Sequence, residues 1–178
     1  SAIQLAFPNV KVYWFVTTYC SVFLYVFNSE MIQQTDSMTG LLNRRGFETF
    51  LLTVHNRTAI IYFDIDRFKE INDVYGHGYG DTVLKNIGSA IREAYIEHGK
   101  CFRIGGDEFC VVLTSNLEMI DKYNEIFLSK IAEKTNMDQR FPYVSLGYSI
   151  FDGENDKIAD TILQADMKMY NCKQERKL

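Results

Sequence analysis

The chain has no excess of positive charge: 19 Lys and Arg stand against 23 Asp and Glu, a net charge of −4. A general nucleic-acid surface needs many cations to displace counterions, so this balance excludes nucleic acid as a partner. Any polyanionic ligand must instead be met by local cations and metal. Zinc-type spacing is missing as well, because Cys20, Cys101, Cys110 and Cys172 follow no ligand pattern and His55, His77 and His98 do not cluster along the chain. In a chain with room for a sizeable core, such cysteines read as buried or free thiols of a reducing compartment rather than as a disulfide framework. The sequence also lacks internal repeats, low-complexity stretches, and the basic start with small-residue cleavage site of a signal peptide.

What is there fits one full domain plus a short extra segment, given 178 residues. A start at Ser1 rather than Met fits a fragment or a processed product. Residues 12–29 carry no charge and are rich in apolar and aromatic side chains, from Val12, Tyr13, Trp14 and Phe15 to Val26 and Phe27. A membrane span needs about 20 mostly apolar residues, which makes this a borderline candidate. Arg44 and Arg45 downstream suit a last span whose far side is cytoplasmic, which would tether the rest to a membrane. The competing reading is a hydrophobic helix packed on a partner subunit, or a piece of a sensor domain. The membrane reading is preferred because a helix apolar on every side has nowhere else to bury itself. Polar and turn-forming residues from Gln33 to Gly40 mark a boundary, giving residues 1–35 as an apolar helix and linker and residues 36–178 as the folded domain.

Periodicity organises that domain. Phe47, Phe50, Leu51 and Val54 predict a helix over 44–55, and the apolar run Ala59 to Phe63 predicts a buried central strand that ends at acids. Val83, Ile87, Ile91 and Ala94 predict a helix over about 80–97, stopped by Gly99. Residues 101–104 and 109–113 flank Gly105-Gly106-Asp107-Glu108 as two arms of a hairpin. A helix over about 117–134 follows. Next comes a strand in which Val144, Leu146, Tyr148 and Ile150 alternate with Ser145, Gly147 and Ser149, so that one face is bulky and the other small, as if a helix or ligand lay against it. A last helix covers about 157–175. Helix, strand, helix, hairpin, helix, strand, helix makes an α/β (α+β) sandwich with an antiparallel element.

Two acidic clusters carry the chemistry. Phe63-Asp64-Ile65-Asp66 closes the central strand, and Arg103-Ile104-Gly105-Gly106-Asp107-Glu108-Phe109 forms the hairpin turn. The glycines remove side chains where the chain turns tightly and a bulky ligand could approach the backbone. Carboxylates on neighbouring strand ends suit a hard cation such as magnesium, which takes one or two acids plus phosphate and water oxygens. Asp64 and Asp107 are the expected ligands. Glu108 beside them could accept a proton or bind a second ion. Asp66 could point with Asp64 or cap the following helix. The backbone of Arg67 and Phe68, at a turn entering a helix, offers amides to phosphate, and Lys69 offers either a charge beside them or an ordinary solvated lysine.

These runs resemble the GGDEF family of diguanylate cyclases, and the resemblance extends over most of the chain. It is carried by Asp36-Ser37-Met38-Thr39-Gly40-Leu41-Leu42-Asn43-Arg44-Arg45, by Phe63 to Asp73, by Tyr75-Gly76-His77-Gly78-Tyr79-Gly80-Asp81, by the Gly105-Gly106 turn, and by Ala165-Asp166 with Tyr170 and Lys173. The resemblance implies a palm-like, mostly antiparallel sheet flanked by helices. It implies condensation of two GTP into cyclic di-GMP and pyrophosphate on Mg²⁺, with Mn²⁺ a possible substitute. Catalysis would fall to Asp64, Asp107 and Glu108, and the metal to Asp64, the Ile65 carbonyl, Asp107 and Glu108. Substrate contacts would come from Phe68, Lys69, Asn72, Asp81, Gly105, Gly106, Lys173 and Lys177. Among these, Asn72 and Asp81 would read guanine, and Lys173 and Lys177 the β- and γ-phosphates. An Asp accepting from the N1–H and exocyclic amine of guanine has no equivalent interaction with adenine. One such site holds one GTP, so two subunits must meet as a homodimer under control of an upstream sensor or membrane region.

The chain departs from the family in two places. Where many members carry an Arg-x-x-Asp product-inhibition site, Ile96-Glu97-His98-Gly99 stands here, so tight product inhibition at that surface is not expected. Arg176 replaces a usual glycine on the last helix, and Lys177 replaces a common arginine. Arg103 is read as structural or a dimer contact. The rival readings are a catalytically silent module that binds GTP or cyclic di-GMP as a receptor or scaffold, and another palm-type enzyme.

Overall fold

The structure is a computed structural model and describes residues 9–153 and 157–176. The chain divides at Gln34 into two units. In the first, helix α1 runs Asn9–Gln33. Its side chains from Val12 to Phe27 are exposed. Among the described residues no helix is long and apolar enough to cross a membrane, so the reading of residues 12–29 as a span is not supported. The helix has the length. Its apolar character is diluted by Thr17, Thr18, Ser21 and three tyrosines, whose hydroxyls lower the gain from leaving water.

The second unit begins with β1 (Leu42–Asn43) and α2 (Arg44–Leu51). Asn43 starts that helix as its cap, its side-chain oxygen accepting from the Gly46 amide. The order continues β2 (Thr58–Ile65), α3 (Phe68–Tyr75), α4 (His77–Tyr95), β3 (Gly99–Arg103), β4 (Glu108–Leu113), a 3₁₀ turn (Leu117–Met119), α5 (Ile120–Met137), β5 (Val144–Phe151) and α6 (Ile158–Glu175). The five strands form one sheet in the order β1-β3-β4-β2-β5. All pairs are antiparallel except β1 with β3. The fold is the expected α+β sandwich with a mostly antiparallel sheet.

Alternation along β2 sorts the two layers. Ala59, Ile61, Phe63 and Ile65 face a core with Val83, Ile87 and Ile91 of α4 and Phe127 and Ile131 of α5. Ile60 and Tyr62 face the smaller core of Phe47 on α2, Phe102 on β3 and Ala165 on α6. Gly147 explains the small face of β5: a Cβ there would lie 2.1 Å from the Met169 amide nitrogen and 2.6 Å from the Ala165 carbonyl oxygen, so the backbone of α6 rests on the strand. The hidden occupant of that face is a helix.

The differences from the sequence reading are local. The central strand runs two residues past Phe63 and takes Asp64 into the sheet. The helix expected to stop at Gly99 ends at Tyr95, and Gly99 opens β3, where the Val112 carbonyl oxygen would lie 2.3 Å from any Cβ. All four cysteines are free, with Cys101 and Cys110 buried.

Candidate active site

Register brings the acids together. Asp64 at the end of β2 pairs directly with Glu108 at the start of β4, and the Ile65 amide donates to the Asp107 carbonyl at 3.3 Å. By the two-residue alternation, Asp64 shares its face with Tyr62, the side packed by α2 and α6. From α6, the Lys173 ammonium donates to Asp64 Oδ1, and both side chains are largely shielded from water. Burial pushes the Asp64 carboxyl above its ordinary value, the Lys173 hydrogen bond and charge oppose this, and Asp107 and Asp66 add to the rise. Glu108 is raised too, by burial and then by Asp107, Asp64 and Asp166, with Arg44 opposing. Like charges held this close favour a cation in their midst.

Asp64, Asp107 and Glu108 therefore feel one another's charge, but among the described residues no group of three His, Cys, Asp or Glu is arranged to hold an ion alone. Lys173 already occupies one oxygen of Asp64. A divalent cation of the Mg²⁺ type commonly takes one or two carboxylates and completes its shell with substrate phosphate and water. The facing carboxylates of Asp64 and Glu108 fit that requirement.

The turn itself is braced. Arg103 donates through Nη2 to the Gly106 carbonyl at 2.8 Å and through Nη1 to both oxygens of Asp36, at 3.3 and 3.2 Å. Asp36 also accepts from the Thr39 amide and hydroxyl. Burial raises the Asp36 carboxyl, but those hydrogen bonds and the Arg103 charge outweigh it and hold it below its ordinary value. Arg103 is thus the structural residue of the turn. The two glycines differ. A Cβ on Gly105 would meet Glu108 Oε2 at 2.5 Å, so its missing side chain makes room for that carboxylate, whereas Gly106 opens onto free space.

Beyond Asp64 the chain makes a tight left-handed turn at Arg67, with φ of 56°, and enters α3 with no side-chain cap. The first amides of that helix are available to an anion. Phe68 packs against the larger core, and Lys69 is exposed. Asp66 does not cap α3. It accepts from the Ser145 hydroxyl at 2.8 Å and from Arg176 at 3.4 Å. On the other side of α3, Asn72 leans over the start of α4: a Cβ on Gly80 would lie 2.0 Å from Asn72 Oδ1. Asp81 follows Gly80 on α4, one position along the helix from the glycine that Asn72 covers.

A cleft of about 720 Å³ opens beside this turn, between the outer face of α3, the segment before β5, and the end of α6. Arg67, Lys173 and Arg176 line it, while Lys69 does not. Lys177 lies outside the described residues. A second cavity, of about 580 Å³, includes Arg44, Tyr62, Glu108 and Asp166. Sequence reasoning singled out neither the Arg176 side chain nor Asp166 as a site residue. The signal for Arg176 was its three-residue step from Lys173 on a helix, which puts both on one face.

A family model described as diguanylate cyclase, GGDEF domain, matches residues 33–177. The chain is 35% identical over 152 residues to the uncharacterized protein YhcK of Bacillus subtilis (strain 168), a match covering 78% of this chain and 42% of YhcK. It is 36% identical over 152 residues to the diguanylate cyclase TpbB of Pseudomonas aeruginosa (strain UCBPP-PA14), covering 79% of this chain and 35% of TpbB. The chain thus spans less than half the length of either. The coiled coil and GGDEF domain of DgcB from Caulobacter crescentus, in complex with c-di-GMP, matches with a TM-score of 0.81 at 20% identity, over 95% of each chain, a likeness of fold.

Proposed function

We propose that this chain, which belongs to the GGDEF family of diguanylate cyclases, condenses two GTP into cyclic di-GMP with release of two pyrophosphates. The observation that carries the reading is the β2–β4 register, which sets Asp64 opposite Glu108 with Lys173 and the uncapped start of α3 at the same end of the sheet. Asp64 and Glu108 would hold Mg²⁺, or Mn²⁺, with the Ile65 carbonyl and Asp107 beside them. Bound there, the ion supplies charge neutralisation at the α-phosphate and the leaving pyrophosphate. Lys173 would exchange its hold on Asp64 for the phosphate tail, joined by Lys177 and Lys69. The amides of Phe68 and its neighbours would receive the same tail. Asn72 and Asp81 would bind the guanine edge, and Gly106 would let the nucleotide lie against the backbone where Gly105 seats Glu108. Where Glu108 does not ligate the ion, its carboxylate beside the metal site would instead accept the 3′-hydroxyl proton.

One such half-site holds one nucleotide, so a two-fold homodimer supplies the second GTP and proximity replaces a dedicated nucleophile. An upstream sensor region would set how often the halves meet. The test is incubation with GTP and Mg²⁺, with ATP as competitor, and identification of products by mass. Cyclic di-GMP and pyrophosphate are expected. Nucleotide binding without pyrophosphate, even in enforced dimers, would instead mark a silent receptor.

A further inference from the structure

Resting on that reading, we infer that Arg176 is a nucleotide-binding residue of this chain, gripping the outer phosphates of GTP from the side of the cleft opposite the start of α3. Arg176 stands one helical turn beyond Lys173, so both side chains leave α6 on the same face. Each reaches an acid of the same strand end: Lys173 takes Asp64, and Arg176 approaches Asp66 at 3.4 Å. The last turn of α6 is therefore fastened over the Asp64-Ile65-Asp66 segment, which leads through Arg67 into the uncapped start of α3.

The way Arg176 is held favours a ligand. Its described hydrogen bonds all fall on one nitrogen, Nη1, which donates to the Val144 carbonyl at 2.9 Å and to Asp66. The guanidinium also lies 5.8 Å from the centre of the Tyr143 ring. Anchored at one corner, the planar group keeps Nε and Nη2 for a phosphate, the two-pronged geometry that arginine offers and lysine does not. The walls agree in charge. Arg67, Arg140, Lys173 and Arg176 line the cleft against Asp66 and Glu70, and Asp66 is already engaged by Ser145 and Arg176. Arg140 is held by Asp138. Lys173 and Arg176 are likewise paired, with Asp64 and Asp66, but Arg176 keeps Nε and Nη2 for a ligand, and Arg67 makes no ion pair among the described residues. At about 720 Å³ the cleft has room for the tail of a triphosphate.

The test compares binding of GTP and GMP, each with Mg²⁺, by calorimetry on the full chain and on Arg176→Ala and Arg176→Lys, alongside melting temperatures. Arg176→Ala should weaken GTP by about tenfold or more and leave GMP unchanged, the loss of a charged hydrogen-bonding pair to phosphate. Arg176→Lys should recover only part of the GTP affinity, because an ammonium offers no fork. Equal losses for GTP and GMP, or full GTP affinity in Arg176→Ala, would overturn the assignment and leave Arg176 as a brace between α6 and β5. Failure of the unaltered chain to bind either nucleotide would overturn the substrate reading itself, and this inference with it.

Discussion

Asp64 and Glu108 face each other across the β2–β4 ladder as direct cross-strand partners, a largely shielded carboxylate opposite an exposed one, where a sheet ordinarily pairs opposite charges or apolar groups. Charge repulsion and cross-strand pairing are opposed at this pair. The fold holds charges that would separate in its absence.

Glu108→Gln should therefore leave the melting temperature unchanged or raise it, while reducing pyrophosphate release by roughly a hundredfold or more. The folded state favours the neutral form of Glu108, because burial and three acidic neighbours disfavour its charge. A neutral isostere removes that cost. Thermal melting and a pyrophosphate assay on the same preparation test both halves, and an active or unfolded variant would contradict the assignment.

Asp36→Asn should cost about 1–2 kcal/mol near neutral pH, since it weakens hydrogen bonds from Thr39 and Arg103 to a shielded carboxylate. The folded-state pKa of Asp36 is depressed, so its contribution is present above the ordinary value of 3.8 and is lost as pH falls through the folded value. Denaturant melts of the two proteins should differ at pH 7 and converge in acid below 3.8. A gap that stays constant with pH would assign the effect to something other than the charge.

Gly80→Ala should relax base selection. The new methyl would claim the space of the Asn72 side-chain oxygen, only 2.0 Å away, and the amide must swing aside. Alanine is the better helix former, so little stability should be lost. The preference for GTP over ATP should drop by about tenfold or more if Asn72 reads the base. An unchanged ratio would remove Asn72 from that role.

Gly147→Ala tests the sandwich rather than the site. Here the obstruction is the backbone of α6, which cannot rotate away as a side chain can. Urea unfolding should show a loss of about 1–3 kcal/mol from overpacking. A stability equal to the parent would mean that the helix does not rest on the strand as described.

Much of this was legible in the residues because pattern and chemistry coincide there. The alternation of large and small along Val144 to Ile150 announced a close neighbour on one side, and Gly147 against Met169 and Ala165 is that neighbour. The acids of β2 and of the Gly105-Gly106 turn were readable as a pair because each ends a strand. Side-chain partners were not readable. Asp66 reads from the sequence as a possible helix cap, yet a hydroxyl on β5 and a guanidinium at the end of α6 claim it, the first brought near by the β2–β5 pairing and the second by α6 resting on β5. Residues 12–29 lack charge yet fall short of a span, because three tyrosines and two threonines temper the apolar run.

The grip of Asp36 on Arg103, and of Arg103 on the Gly106 carbonyl, has a mechanical consequence. The stretch of chain at the threshold of the domain is rigged to the turn that carries its acids, and β1 reinforces the rigging by lying parallel to β3. Strain arising near residue 35 would reach that turn through Arg103 and through the β1–β3 pairing, without passing through α3 or α4. Displacing Asp36 would therefore tilt the acids of the turn while the packed cores stayed still.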